Sequence, residues 1–153
     1  MNVADLADEI FRELDQPSDL TTSSISFWLV SNTGKLNILL DIDIVIVSSE
    51  FSPLLTDSEA DIYKVLFEVD YYNRQVRSNL GAAAYTSIAE FKEGGRTVRK
   101  VNKTEVAKAY SAALKDKRSE LEQLILQFKA NQLSVLDVYV RNPQGFQYGS
   151  LIP

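Results

Sequence analysis

Cysteine and histidine are both absent from this chain of 153 residues. Without cysteine the chain can form neither a disulfide framework nor a thiolate nucleophile. Without histidine it lacks the commonest general base and a usual ligand of transition metals. We therefore expect no enzymatic activity and no bound cofactor or metal.

Glycine, proline and long apolar runs are also scarce. The chain has six glycines and four prolines, with 45% hydrophobic and 24% charged residues, which is typical of one folded domain. No apolar run approaches the roughly 20 residues of a membrane span, and the acidic N-terminus (Asp5, Asp8, Glu9) lacks the basic region of a signal peptide. We expect no membrane contact and a protein that is intracellular when made.

Charge is distributed unevenly along a chain whose net charge is -5. Residues 1–20 carry six acids and one base, whereas residues 96–118 carry eight bases and two acids. The acidic balance opposes general attraction to nucleic acid phosphates. The segments of opposite sign could pair within one chain or between identical copies, and the composition leaves both arrangements open.

The segment from Thr56 to Phe91 has the most extensive helical pattern. Its apolar residues form two adjacent ridges at helical spacing: Ile62, Leu66, Val69, Val76 and Leu80 in one, and Tyr63, Phe67 and Tyr71 in the other. Thr56 and Glu59 have the spacing of a capping box, and glycines 94 and 95 mark the end. The pattern predicts a central helix about 50 Å long. Gly81 and the three alanines after it predict the close approach of another helix.

Weaker patterns lie on both sides of this segment. Helices are predicted over residues 2–15 and from the hydroxyls of residues 21–24 to Leu40, with a bend at Gly34. Residues 42–47 fit either a strand or a fraying helix end, and residues 48–53 a connection. Residues 96–101 predict an extended arm, and residues 102–131 a further helix. Residues 135–140 then have strand character.

These elements predict a mainly α fold, a small helical bundle around one long central helix, with a short extended arm or hairpin and an extended C-terminal tail. Residues 1–132 would form the bundle and residues 133–153 the tail. The tail has few charges but is rich in apolar groups, including Val135, Val138, Tyr139, Val140, Phe146, Tyr148, Leu151 and Ile152. It is predicted either to become ordered against a partner, for example by strand addition, or to pack on its own domain.

A known family shares several of these features. They are the acidic start at residues 4–11, the segment at residues 26–29, Tyr71, Tyr72, Arg77 and residues 79–83 in the long helix, the glycine pair, residues 97–99, and the helix that opens at residues 102–105. Together they resemble the head-to-tail connector proteins of tailed bacteriophages, known as adaptor, head completion or neck proteins. The resemblance covers about residues 1–132; the strand-prone residues 42–47 depart from it.

The resemblance implies a structural virion protein without catalytic activity. Such adaptors form a homo-oligomeric ring, commonly of twelve copies, beneath the portal protein and above a tail or neck protein. The ring joins the capsid to the tail and lines a channel through which DNA passes without specific binding. It implies a location in the virion neck, with host cytoplasm during assembly. The apolar tail would dock on the portal, and the arm would contact neighbouring subunits through Arg96, Val98, Arg99, Lys100 and Lys103.

Two other functions remain open at the level of the sequence. The chain could belong to a neck layer that contacts the tail terminator, or it could be a DNA-packaging factor that binds nucleic acid through residues 96–118. Tyr71, Tyr72 and Arg74 could stack on bases and contact a phosphate, although packing of these aromatics between helices is the simpler interpretation. Trp28 is predicted to anchor the second helix in the core.

Overall fold

The computed structural model of the protein describes residues 2–85, 90–93, 96–99 and 103–141, and the side chains of residues 2–81 and 103–133. Four helices lie in these ranges: α1 (Val3–Glu13), α2 (Thr22–Leu40), α3 (Asp57–Tyr85) and α4 (Lys103–Arg141). Two antiparallel hairpins accompany them, β1 (Val45–Val47) with β2 (Glu50–Ser52), and β3 (Glu90–Glu93) with β4 (Arg96–Arg99). The predicted mainly α bundle with a long central helix and a hairpin is confirmed.

Side-chain caps fix the starts of the first three helices. Asn2 and Asp5 form a reciprocal capping box at α1, as Thr21 and Ser24 do at α2. At α3 the backbone amide of Thr56 donates to the Glu59 carboxylate at 2.8 Å, and the amide of Glu59 donates back to the Thr56 hydroxyl at 3.4 Å. These bonds satisfy amides that have no partner within the helix. The box predicted at Thr56 is therefore present.

The β1–β2 hairpin closes the bundle beside the start of α1. Ser48 and Ser49 connect its strands, and both have positive φ, which a two-residue type I′ turn requires. The Val3 amide donates to the Ser49 carbonyl at 3.0 Å, so the turn is tied to α1. The Asn37 side chain bonds both the amide and the carbonyl of Ile44 and holds the chain that enters β1.

The core surrounds the first half of α3. The ridge of Tyr63, Phe67 and Tyr71 is buried, whereas the other predicted ridge is buried at Ile62, half-buried at Leu66, Val69 and Val76, and exposed at Leu80. Tyr63 is fully buried, and the other large buried side chains of the core come from α1, α2, β2 and α3: Leu6, Ile10, Ile25, Leu29, Leu36, Leu40, Phe51, Ile62 and Phe67. α4 covers the remaining side with half-buried Leu121, Leu124, Ile125 and Phe128. Burying a side chain of this size contributes about 1.5–3 kcal/mol, so this cluster is the main source of stability.

The second half of α3 leaves the bundle and pairs with the first half of α4. Tyr72 contacts Tyr110, and Glu68 contacts Lys117, so the two helices run antiparallel. Ala107 and Leu114 are the buried α4 residues in this section. We call the paired segments, residues 72–85 of α3 and 103–114 of α4, the stalk. The β3–β4 hairpin connects its two helices and therefore lies at its outer end.

Four predicted boundaries are wrong. α3 ends at Tyr85 rather than Phe91, because residues 90–93 pair with residues 96–99 as a strand. Residues 48–53 contain strand β2, not only a connection. α4 continues to Arg141, ten residues past Asn131, and takes in residues 135–140, which were given strand character. No glycine or proline interrupts residues 131–141, and β-branched valine lowers helix propensity only slightly.

The role predicted for Gly81 is wrong, whereas a bend of α2 at Gly34 stays a prediction. α2 is continuous through Gly34, and a Cβ built at Gly34 or Gly81 meets nothing within 4 Å among the described residues. The expected close approach of a helix at Gly81 is therefore absent from this part of the structure. Both glycines lie on exposed helix surface.

Replacing these glycines should stabilise the protein. Gly34→Ala and Gly81→Ala are each expected to raise the free energy of unfolding by about 1 kcal/mol, since alanine has the higher helix propensity and meets no atom at either position. Urea unfolding followed by the fluorescence of Trp28 measures the change. The matched control Ala60→Gly, in the buried first half of α3, should lower stability. A loss of stability in Gly34→Ala would contradict the open surface.

Candidate functional site

A polar groove between α1, α3 and α4 contains the densest charge cluster among the described side chains. Lys64 of α3 is 13% exposed, and its Nζ lies 3.1 Å from Glu9, 3.1 Å from Glu13 and 3.0 Å from Asp61. One turn further along α3, Glu68 lies 2.7 Å from Nζ of Lys117, which also contacts Glu120 at 2.9 Å. The cluster thus links three helices through two lysines.

Each lysine in the groove is held in its charged form. Burial lowers the pKa of Lys64, but its bonds to Asp61, Glu9 and Glu13 outweigh burial and raise the pKa above its ordinary value. The pKa of Lys117 is raised for the same reason by Glu68 and Glu120, against the effect of burial. Both ammonium groups already have carboxylate partners, so the groove is a structural ion-pair network with no free charge aimed at a ligand.

Aromatic rings form a continuous column from the core to the stalk. Successive centroids lie 5.1 to 6.5 Å apart along Phe51, Tyr63, Trp28, Phe67, Tyr71, Tyr72 and Tyr110. Tyr71 is buried and bonds Asp19, while Arg74 pairs with Asp70 at 3.3 Å. Tyr71 and Tyr72 are thus engaged between elements of the chain and Arg74 pairs along α3, which favours the packing interpretation over a platform for bases.

Trp28, the predicted anchor of α2, belongs to this column and also forms a hydrogen bond. It is only partly buried, and its indole Nε1 donates to Asp70 at 2.8 Å. A tryptophan that is partly exposed to solvent commonly forms a hydrogen bond through its indole N–H. The bond connects α2 to the point where α3 enters the stalk.

Most residues of the predicted subunit-contact arm lie in strand β4. Arg96, Val98 and Arg99 lie in β4, Lys103 is the first residue of α4, and Lys100 lies outside the described residues. The register places Glu90 opposite Arg99 and Glu93 opposite Arg96. Each terminal arginine of β4 thus has an acidic residue at the position across the hairpin.

The predicted docking tail is divided. Val135, Val138, Tyr139 and Val140 belong to helix α4. Phe146, Tyr148, Leu151 and Ile152 lie outside the described residues. A docking contact through these four residues would therefore use a helix surface rather than an added strand.

An exposed apolar stripe on α2 escaped the sequence analysis. Phe27 is 74%, Val30 51% and Ile38 84% exposed, and their spacing puts them on one side of the helix together with Gly34. The sequence did contain an indication of this stripe, because Lys35 is the one charged residue in the nineteen residues of α2. A helix that is apolar all round is normally covered on more than one side.

Two further properties limit what the described residues can do. In residues 2–85 and 103–141 no helix combines the length and apolar character needed to cross a membrane. The same part of the chain contains no group of three or more acidic side chains placed to hold a metal ion.

Comparison with known proteins adds no relative. No protein-family model matches the chain, and no curated protein and no solved structure is significantly similar to it.

The groove predicts a loss of stability when Lys64 is removed. Lys64→Met keeps much of the stem but leaves Glu9, Glu13 and Asp61 facing one another without their shared cation. We expect the free energy of unfolding to fall by about 1.5–3 kcal/mol, the range for hydrogen bonds to charged groups. Urea unfolding measures the change, with Lys115→Met on the exposed side of α4 as the control. Equal stability of both variants would contradict the role of the network.

Ionisation of tyrosine should divide into early and late groups. Burial raises the pKa of Tyr63 from 10.0 to about 12, although its bond with Thr33 partly opposes the shift. Burial and the charge of Asp19 raise the pKa of Tyr71 to about 12. Unfolded tyrosines ionise near pH 10, so the free energy of unfolding should fall as the pH rises from about 10 to 12.

Tyrosinate absorbance and denaturant unfolding against pH test this behaviour. Tyr63→Phe should remove part of the fall in stability above pH 10 as well as one late-ionising group. Ionisation of all seven tyrosines in one step near the ordinary pKa would show that Tyr63 and Tyr71 are not held neutral.

Proposed function

We propose that the protein is a structural subunit of the head-to-tail connector of a tailed bacteriophage. In this role identical copies form a ring beneath the portal protein, join the capsid to a tail or neck protein, and line the channel for DNA. The subunit has no catalytic step and no cofactor. It works by assembly in the virion neck, after synthesis in the host cytoplasm.

The observation that carries the proposal is the stalk with its hairpin. α3 and α4 extend beyond α1 and α2, and β3–β4 connects them at the segment for which the phage connector resemblance implies a subunit-contact arm. An isolated two-stranded hairpin is at best marginally stable in water. Projections of this kind gain stability when a neighbouring molecule packs against them.

The charge of the hairpin favours a protein neighbour over DNA. Opposite charges directly across an antiparallel pair attract one another, and the register places Glu90 and Glu93 across from Arg99 and Arg96. The described strands form a sheet of two, so each leaves one edge unpaired. A segment of an adjacent copy could add to such an edge through backbone hydrogen bonds.

One base near the stalk has acidic partners, whereas Lys103, Lys108, Lys115 and Arg118 are exposed. Lys117 is shared by Glu68 and Glu120, and the chain as a whole is acidic. Counterion release, which drives nonspecific binding to DNA, requires free cations at phosphate spacing. The acidic net charge is therefore what supports a channel wall to which DNA does not adhere.

The mass of the protein in solution, measured by light scattering alone and with portal rings, tests the proposal. We expect the protein to form rings of many copies when portal rings are present. A protein that leaves portal rings unchanged but binds duplex DNA with a steep salt dependence would instead be a packaging factor. Binding to a tail terminator alone would place it in another neck layer.

The C-terminal residues are expected to dock on the portal. A Leu151→Asp and Ile152→Asp double variant should lose portal binding while its helical content and unfolding midpoint stay unchanged, since carboxylates oppose burial in an apolar contact. Leu54→Asp, at a leucine that is 64% exposed on the bundle, serves as the matched control. Portal binding by the double variant equal to that of the control would refute the docking role.

A further inference from the structure

The apolar stripe on α2 belongs to a helix face that carries almost no charge. Eight residues of α2 are exposed, and Lys35 is the one with a charge. The other seven are apolar, hydroxylic or glycine: Ser23, Ser24, Phe27, Val30, Ser31, Gly34 and Ile38. Phe27 is 74% and Ile38 84% exposed. Large apolar side chains aligned on one exposed face mark a contact surface.

The order of large and small residues along this face is symmetric. Phe27, Ser31, Gly34 and Ile38 recur at steps of four, three and four, so they lie in one row along the helix. The large side chains stand at the two ends of the row, and the small ones lie at its centre. A Cβ built at Gly34 meets nothing within 4 Å, so the centre is open. Such a row is complementary to a second copy of itself that runs in the opposite direction.

An antiparallel pair of α2 helices, related by a two-fold axis midway between Ser31 and Gly34, matches the whole row. Ser31 then lies opposite Gly34 of the second copy, and Phe27 lies opposite Ile38 of the second copy. The small residues meet at the crossing point and let the two helices approach closely. The large residues fill the space on either side of that point, where crossed helices diverge.

The same pairing places the charges favourably. Lys35 lies opposite Val30 of the second copy, which the aliphatic part of the lysine can cover, and the two lysines stand on opposite sides of the pair. Asp41, the exposed C-cap of α2, lies beside the first turn of the second α2. That turn has no acidic residue, whereas the first turns of α1, α3 and α4 each have one or two. A carboxylate is stabilising at this end of a helix, and in the pair the second copy supplies it.

The extent of the face indicates a reversible contact. From Phe27 to Ile38 the row is about 17 Å long at 1.5 Å per residue. Val45, 52% exposed, lies near one end of the row, because the Asn37 side chain bonds the preceding residue, Ile44. This surface is still smaller than the roughly 20–30 residues per partner of a standard interface. We therefore expect association that depends on concentration.

We propose that two copies of the protein pair through α2, antiparallel and in this register. The contact is isologous, because the same surface serves both copies, so it closes at two copies. The inference goes beyond the proposed function and does not depend on it, since a ring requires a different contact. The dimer is the state of the free protein in solution.

Sedimentation equilibrium of Gly34→Leu tests the close approach at the crossing point. Leucine adds apolar surface but occupies the space that the second helix needs, so the dissociation constant of the dimer should rise about tenfold or more. Gly81→Leu makes the same change at the other open helical glycine and should leave the dissociation constant unchanged. Circular dichroism verifies that both variants keep their helical content. Nonspecific apolar adhesion would instead be strengthened by Gly34→Leu.

Cross-linking between engineered cysteines tests the register, because the chain has no cysteine of its own. Copies with Ser31→Cys are mixed with copies with Gly34→Cys and oxidised. We expect disulfide-linked dimers of one copy of each kind, several-fold above the yield with Gly81→Cys in place of Gly34→Cys. Ser23→Cys copies should not cross-link with one another, since their cysteines lie at opposite ends of an antiparallel pair.

Three results would overturn the inference. One is a protein that stays monomeric at every concentration that sedimentation can measure. In that case a cross-link within single chains of a Val30→Cys and Ile152→Cys variant would assign the face to the chain's own C-terminal residues. Another is a dimer of Gly34→Leu as tight as that of Gly81→Leu. The third is efficient cross-linking of Ser23→Cys copies with one another, which would indicate parallel helices.

The same preparations separate this inference from the proposed function. If the protein dimerises through α2 but leaves portal rings unchanged, the contact stands and the connector function fails. If the protein forms rings on the portal but is monomeric without it, the function stands and the α2 contact fails.

Discussion

The fold depends on the burial of the Tyr63 hydroxyl. Tyr63 has no exposed surface, so its hydroxyl must find a partner inside the core, where an unpaired polar group would cost about 1–3 kcal/mol. It donates to the Leu29 carbonyl of α2 and lies 3.3 Å from the hydroxyl of Thr33. This bond fixes α2 against α3 at one register. The rings of Trp28 and Phe51 pack against the same side chain, and Phe67 packs on Trp28.

The molecule combines a packed bundle with a thinner stalk, and different forces stabilise the two parts. In the bundle, apolar burial dominates and the Lys64 network joins α1 to α3 across its rim. In the stalk α3 pairs with α4 through contacts such as that of Tyr72 with Tyr110, and Gln75 also bonds Asp19 of the connection between α1 and α2. A two-helix segment buries one side of each helix, which leaves the other sides free for contacts with other molecules.

The sequence predicted the parts of the fold that local chemistry determines. Caps such as Thr56 with Glu59 and the ridges of α3 follow from side-chain spacing alone. Strand β2 was missed because its turn lacks the Asn-Gly sequence that usually marks a two-residue hairpin turn. Ser48 and Ser49 adopt the required positive φ instead, although serine rarely favours it. The end of α3 depends on the pairing of Glu90–Glu93 with a later segment, which periodicity cannot detect. Tertiary contacts, not propensity, decide these boundaries.

The candidate surfaces were harder to predict than the core, for a related reason. Periodicity identifies apolar positions but does not say which of them the chain itself covers. In α2 the buried residues Leu29 and Leu36 and the exposed residues Val30 and Ile38 are chemically equivalent. What distinguishes the helix is the near absence of charge, since a surface exposed only to water would normally carry more charged side chains. Depletion of charge on an otherwise exposed helix is thus the more direct indication that another molecule covers it.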